Sequence, residues 1–111
     1  MARTRTDIIK TINRFILEAK NRFDIEKVVL YGSQITGDVD EWSDIDIAVI
    51  SDDFEGIDLR QRLMLLNKIA WEQQVTEIDA LGYTQAEYAA ESPLSFSSEI
   101  KENGIVVYEK R

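Results

Sequence analysis

The stretch "LYGSQITGDVDEWSDID", residues 30–46, carries the strongest indication of the fold and of the functional site. It contains a Gly-Ser pair, Gly32 and Ser33, and ten residues later two aspartates one residue apart, Asp44 and Asp46. Two carboxylates held side by side disfavour each other's charged form unless a cation lies between them. The stretch is therefore either a cation site or a solvated acidic loop.

Strands are predicted on both sides of this stretch. The apolar run at 27–31, "KVVLY", predicts a buried strand, and the alternation at 44–50, "DIDIAVI", predicts a second one. Because alternate side chains of a strand point to opposite faces, Ile45 and Ile47 should face the core. The two aspartates would then share the other face on a rigid base, which favours the cation site.

The ligand types and the turn favour Mg²⁺ with a phosphate. Mg²⁺ binds one or two carboxylates and completes its shell with water and phosphate oxygens. Gly32 has no Cβ, so a phosphate can approach the backbone closely, and Ser33 offers a hydroxyl donor. We therefore predict a nucleoside triphosphate bound through Mg²⁺. An EF-hand loop starting at Asp38 is rejected, because Val49 occupies the position of the bidentate glutamate.

A third carboxylate would complete a centre for two metal ions. Glu77 and Asp79 are expected on one face of a third strand, "TEIDAL", residues 76–81. Spacing alone does not choose between them.

Composition restricts the other functions. The chain has 111 residues, no cysteine and no histidine, which removes disulfides, thiolate nucleophiles, Ser-His-Asp triads and His-bound metals. The net charge is −8, with nine acids and no base in residues 28–59, so non-specific nucleic-acid binding is not expected. No apolar run could span a bilayer, and a cytoplasmic protein is expected.

The remaining pattern predicts helices around one sheet. A helix is expected at 7–22, a second after Asp58 with a stripe of Leu59, Leu63, Leu66 and Ala70, and a short one at 85–90. A further helix should begin at Ser92-Pro93 and end at Gly104, followed by a strand at 105–108. Trp71 and Tyr83 are expected in the core or at its rim. The expected fold is a single α/β (α+β) domain, residues 1–111, with one small mixed sheet.

These motifs resemble the DNA polymerase β-like nucleotidyltransferase superfamily, especially its stand-alone minimal nucleotidyltransferase (MNT) domains. The resemblance is carried by "VVLYGS", "SDIDIAVIS", "EIDALGYTQAEY" and "IKENGIVVYE" in the family's order. It implies the polymerase β-like fold and Mg²⁺ ligation by Asp44 and Asp46. It also implies that Asp79, rather than Glu77, is the third catalytic acid and metal ligand.

The resemblance further implies an activity and a partner. Two Mg²⁺ ions would support transfer of a nucleoside monophosphate, with ATP as the expected donor, onto an acceptor hydroxyl. Short domains of this family are commonly encoded beside a helical HEPN protein as toxin–antitoxin pairs. This chain would then be the antitoxin, and the acceptor a hydroxyl group on its partner. A homo-oligomer is left open.

One departure from the family pattern supports a different class of function. Gln34 and Thr36 stand where relatives often carry arginine or lysine, so the site lacks local charge to hold a triphosphate. A non-catalytic module that neutralises its partner by occlusion is the alternative, and a nucleotide sensor is a third possibility.

Overall fold

The computed structural model describes residues 5–31, 45–75, 77–90 and 104–110. Its elements are α1 (Arg5–Arg22), β1 (Lys27–Tyr31), β2 (Ile45–Ile50), a 3-10 helix (Asp52–Phe54), α2 (Leu59–Glu72), β3 (Ile78–Tyr83), α3 (Gln85–Ala89) and β4 (Ile105–Glu109). The helix predicted from Ser92-Pro93 falls on residues 91–103, outside the described residues.

The four strands form one mixed sheet in the order β3-β2-β1-β4. β1 pairs antiparallel with both β2 and β4, whereas β2 pairs parallel with β3. The parallel pair is possible because α2 occupies the connection between β2 and β3, as a crossover between parallel strands requires. The expected small mixed sheet with helices is therefore confirmed.

Alternation along the strands gives the sheet two different faces. Val28, Leu30, Ile47 and Val49 are fully or almost fully buried in one large core cluster, to which α1 contributes Ile12 and Phe15 and α2 contributes Leu66 and Ile69. The opposite face, called the open face below, carries a smaller cluster. Its buried members are Val29, Ala48 and Ile50, and three half-buried tyrosines pack against them: Tyr31, Tyr83 and Tyr88.

Helix α2 follows the predicted start but buries a different stripe. The Asp58 carboxylate caps it by accepting from the Gln61 N–H at 2.8 Å. Leu66 and Ala70 are buried as expected, but Leu59 is 62% exposed, and Arg62 and Ile69 complete the buried stripe instead. Leu59 is the first residue of the helix, so its side chain lies beyond the edge of the core. Trp71, expected in the core or at its rim, is 73% exposed because it lies on the helix face opposite the buried stripe.

The third strand begins two residues later than predicted and continues to Tyr83. Glu77 belongs to the turn that leads into β3, in which the Ile78 N–H donates to the Val75 carbonyl at 3.0 Å. Thr84 then caps α3 in the reciprocal capping box expected with Glu87. Among the helices that the structure describes, none combines the length and apolar character needed to cross a membrane.

Candidate active site

Asp46 and Asp79 lie side by side on the open face of the sheet. They are paired residues in the parallel register of β2 and β3, and their neighbours Ile45, Ile47 and Ala80 are fully buried on the helix-covered face. Adjacent strands are about 4.8 Å apart, so the two carboxylates project from neighbouring positions. Asp46 is half-buried and Asp79 is exposed. The structure thus brings together two of the three predicted acids.

The other predicted site residues fall outside the described part of the chain. Gly32, Ser33 and Asp44 belong to residues 32–44, and their predicted roles in phosphate and metal binding stay predictions. Within the described ranges there is no group of three or more acidic side chains that could hold a metal ion. A metal ion bound by Asp46 and Asp79 would need a third protein ligand, and Asp44 is the residue that the sequence predicts for this role.

The backbone around the two acids is held firmly on both strands. The Ile45 N–H donates to the Glu77 carbonyl at 2.7 Å, immediately before the paired aspartates. At the other end of the same strands, the Ser51 N–H donates to the Tyr83 carbonyl at 2.8 Å. A backbone hydrogen bond at each end of the paired strands therefore fixes the parallel register. A shift of one residue would move Asp46 into the core.

Tyr31 is the neighbour of this pair that the sequence did not reveal. It is the last residue of β1 and is directly opposite Asp46 in the antiparallel register, so Tyr31, Asp46 and Asp79 form one row across three strands. The pKa of Tyr31 is raised well above its usual value. Burial is the largest cause, and the charges of Asp46, Tyr83 and Asp79 add to it in that order. A tyrosine with its ordinary pKa, about 10, is already protonated at neutral pH, so the phenol can act there as a hydrogen-bond donor. The period-two pattern at 27–31 places Tyr31 on the open face, but only the register shows what it faces.

A buried arginine supports the far end of the open face. The Arg62 side chain is 5% exposed and forms a bidentate ion pair with Glu87 of α3. It also donates to the Ile57 carbonyl at 2.6 Å and to the Gly82 carbonyl at 3.3 Å. Because Arg62 donates to groups on α3, on β3 and on the loop before α2, it fixes α3 against the strand that carries Asp79.

Gly82 permits this arrangement by its size. A Cβ at this position would lie 3.0 Å from the Phe54 ring and 3.2 Å from the Arg62 Cβ. The Arg62 guanidinium in turn lies 5.7 Å from the centre of the Phe54 ring, within the range of a cation–π contact. The close packing of β3, α2 and the 3-10 helix thus depends on the absence of a side chain at residue 82.

The carboxylate pair has the chemistry of a divalent cation site. Both groups are hard oxygen ligands on one rigid sheet surface, and among the described residues no lysine or arginine forms an ion pair with Asp79. Like charges directly opposite each other in a sheet are destabilising, and a bound cation would remove that cost. The residues present therefore fit the Mg²⁺ ion expected from the sequence.

Comparison with known proteins agrees with this fold. Residues 13–111 match the family model described as polymerase beta, nucleotidyltransferase. A provisionally named protein adenylyltransferase of Methanocaldococcus jannaschii is 34% identical over 103 residues, which span 89% of this chain and 96% of that protein. The chain therefore belongs to the polymerase β nucleotidyltransferase family. It is a nucleotidyltransferase domain, and the family expected from the sequence is confirmed.

Two solved structures show the same fold. A provisionally assigned nucleotidyltransferase from Sulfolobus solfataricus has a TM-score of 0.70 at 17% identity, with 93% of this chain and 81% of that chain covered. A toxin–antitoxin crystal structure with AMP-PNP gives a TM-score of 0.61 at 23% identity, with 89% and 73% covered. At these identities the likeness establishes the architecture.

Proposed function

We propose that this chain transfers AMP from ATP to a hydroxyl group of a partner protein in a Mg²⁺-dependent reaction. The observation that carries the proposal is the pairing of Asp46 with Asp79 across two parallel strands on an open sheet face. The name of the Methanocaldococcus relative, a protein adenylyltransferase, supports AMP as the transferred group and a protein as the acceptor. The AMP-PNP of the toxin–antitoxin neighbour supports an adenine nucleotide as donor.

In this proposal the acidic residues bind the metal ions and the turn binds the nucleotide. Asp44, Asp46 and Asp79 would hold one Mg²⁺, and Asp44 and Asp46 would share a second with the triphosphate. Gly32 would allow a phosphate close to the backbone, and the Ser33 hydroxyl would donate to it. The bound ions would lower the pKa of the acceptor hydroxyl and neutralise charge on the leaving pyrophosphate.

The bond changes of the proposed transfer are simple. The acceptor oxygen forms a bond to the α-phosphorus of ATP, the bond from that phosphorus to the bridging oxygen breaks, and pyrophosphate leaves. The hydroxyl proton passes to a carboxylate of the site or to water. No histidine is required, which fits a chain that contains none.

We further propose that the partner is a separately encoded HEPN-type toxin and that this chain is its antitoxin in the cytoplasm. The toxin–antitoxin neighbour supports a two-component system. The test is to incubate the chain with ATP, Mg²⁺ and the product of the adjacent gene, and to measure the intact mass of that product. An AMP adduct that is absent with Asp46→Asn and with Asp79→Asn would support the transferase.

One sequence feature favours a second function. Gln34 and Thr36 leave the turn without the basic residues that relatives often carry there, and this would weaken triphosphate binding. The alternative is a module that neutralises its partner by occlusion. The activity of the partner is measured beside its mass. Inhibition that persists in both asparagine variants, with no adduct in the wild type, would select occlusion and exclude transfer.

A further inference from the structure

Tyr31 occupies a position that neither the family match nor the predicted acidic trio explains. It ends β1 immediately before Gly32, and its register partner is Asp46. Its ring is half-buried against the cluster formed by Val29, Ala48 and Ile50 on the open face. A ring held by packing has little freedom to turn away from the row of residues in which it lies.

The ring lies in the same row as both acids. Tyr31 is the register partner of Asp46, Asp46 is the register partner of Asp79, and all three residues are on the open face of the sheet. A protonated phenol beside two carboxylates can donate one hydrogen bond to a carboxylate oxygen. Such a bond would leave the remaining oxygens available for a metal ion.

Hydrogen bonds of this kind orient the side chains that bind metals. A ligating carboxylate that is itself hydrogen-bonded is held in the rotamer that binding needs, and loss of such a partner typically lowers metal affinity by about 10–100-fold. We propose that Tyr31 is a positioning residue, whose hydroxyl donates to the Asp46–Asp79 pair and holds it in the geometry that binds the divalent cation. The inference rests on the proposed function, because it needs these acids to be metal ligands.

The experiment compares three variants of the full chain with Mn²⁺ as the probe and no nucleotide. Tyr31→Phe keeps the ring and removes the hydroxyl. Tyr88→Phe is the matched control, because Tyr88 packs in the same open-face cluster but belongs to α3, outside the row of Tyr31, Asp46 and Asp79. Asp46→Asn removes a predicted ligand. Mn²⁺ affinity is measured by electron paramagnetic resonance, and folding is checked by thermal unfolding of the metal-free proteins.

The expected result is Mn²⁺ affinity about tenfold weaker in Tyr31→Phe, with an unfolding temperature close to that of the wild type. Tyr88→Phe should bind Mn²⁺ as the wild type does, and adenylylation by Tyr31→Phe should recover at saturating Mn²⁺. Wild-type affinity in Tyr31→Phe, or an equal loss in both phenylalanine variants, would overturn the role of Tyr31. Absence of Mn²⁺ binding in the wild type would overturn the metal site itself, and a loss confined to Asp46→Asn would retain the site and reject only Tyr31.

Discussion

Asp46 and Asp79 are paired residues of two parallel strands, and both project from the face of the sheet that α1 and α2 do not cover. The two residues come from segments separated by the whole of α2, yet the register places them at the same level. The sheet thus places two like charges side by side, which lowers the stability of the fold. Removing one of the two charges tests this.

Neutralising one member of the pair should change stability and activity in opposite directions. Without metal, Asp79→Asn should stabilise the chain by roughly 0.2–1 kcal/mol, because the repulsion between directly opposed charges is removed. The same substitution should abolish transfer. Differential scanning fluorimetry with EDTA and with Mg²⁺ measures the first effect, and Mg²⁺ should raise the unfolding temperature of the wild type but not that of Asp79→Asn. Exposed Glu55, remote from the pair in sequence, provides the control substitution Glu55→Gln, which should show neither effect.

The Arg62–Glu87 ion pair should make stability depend on pH in the acid range. Hydrogen bonding from Arg62 is the main cause that lowers the pKa of Glu87 in the folded chain. A lowered folded pKa means that the stabilisation is fully present above the unfolded value, about 4.3, and is lost as the pH falls through the folded value. Urea unfolding at a series of pH values should therefore show a smaller acid-dependent loss in Glu87→Gln than in the wild type. An identical slope in both proteins would contradict the ion pair's contribution.

Removing the arginine itself should be more costly than removing its partner. Arg62→Met removes a donor from the buried Gly82 carbonyl and from the partly buried Ile57 carbonyl, and an unsatisfied buried acceptor costs about 1–3 kcal/mol. We expect a loss of roughly 2–4 kcal/mol in the free energy of unfolding. Glu87 is 43% exposed through its side chain, so water can replace the arginine there. A loss no larger than that of Glu87→Gln would show that the two carbonyl contacts contribute little.

A methyl group at residue 82 should disturb the packing beneath the site. Gly82→Ala would place a Cβ 3.0 Å from the Phe54 ring and 3.2 Å from the Arg62 Cβ, where a flexible chain end is not available to move aside. Overpacking of this kind costs about 1–3 kcal/mol. Chemical denaturation measures the loss, and Phe54→Leu combined with Gly82→Ala should recover part of it. Full wild-type stability in the single variant would indicate that β3 can shift.

A glycine should stabilise the end of α2. Gln74 has a φ of 59°, in the left-handed region, where a side chain is unfavourable by about 1–2 kcal/mol relative to the right-handed form. Gln74→Gly should therefore raise the free energy of unfolding by up to about 1 kcal/mol. Gln73, with a φ of −86°, is the matched control, and Gln73→Gly should be neutral or destabilising.

Local signals in the sequence predicted most of the fold. The bounds of β1 were predicted correctly because five apolar-rich residues lie between polar turns, and the Thr84–Glu87 capping box follows from two side chains three residues apart. The prediction of the buried stripe of α2 was wrong at Leu59, because the spacing of hydrophobic residues does not show where the core ends. Arg62 was missed because a charged residue inside a helical pattern is normally solvent-exposed, and its burial depends on partners 5 to 25 residues away.

The candidate site shows the same division between local and long-range information. The alternation in 44–50 correctly assigned Asp46 to the face opposite the core, and the family resemblance selected Asp79 over Glu77. The pairing of Asp46 with Asp79, and that of Tyr31 with Asp46, depends on strand register. Register is decided by contacts between segments that are distant in the sequence. Sequence spacing carries no direct information about such contacts.

β1 is the second strand from one edge of the sheet, and the strand beyond it, β4, comes from residues 105–109. The Lys110 N–H also donates to the Glu26 carbonyl at 2.8 Å, just before β1 begins. During translation, β1 leaves the ribosome long before the strand that covers its free side. A nascent chain stalled before residue 104 would lack β4, so this sheet cannot be completed until residues 105–109 have left the ribosome.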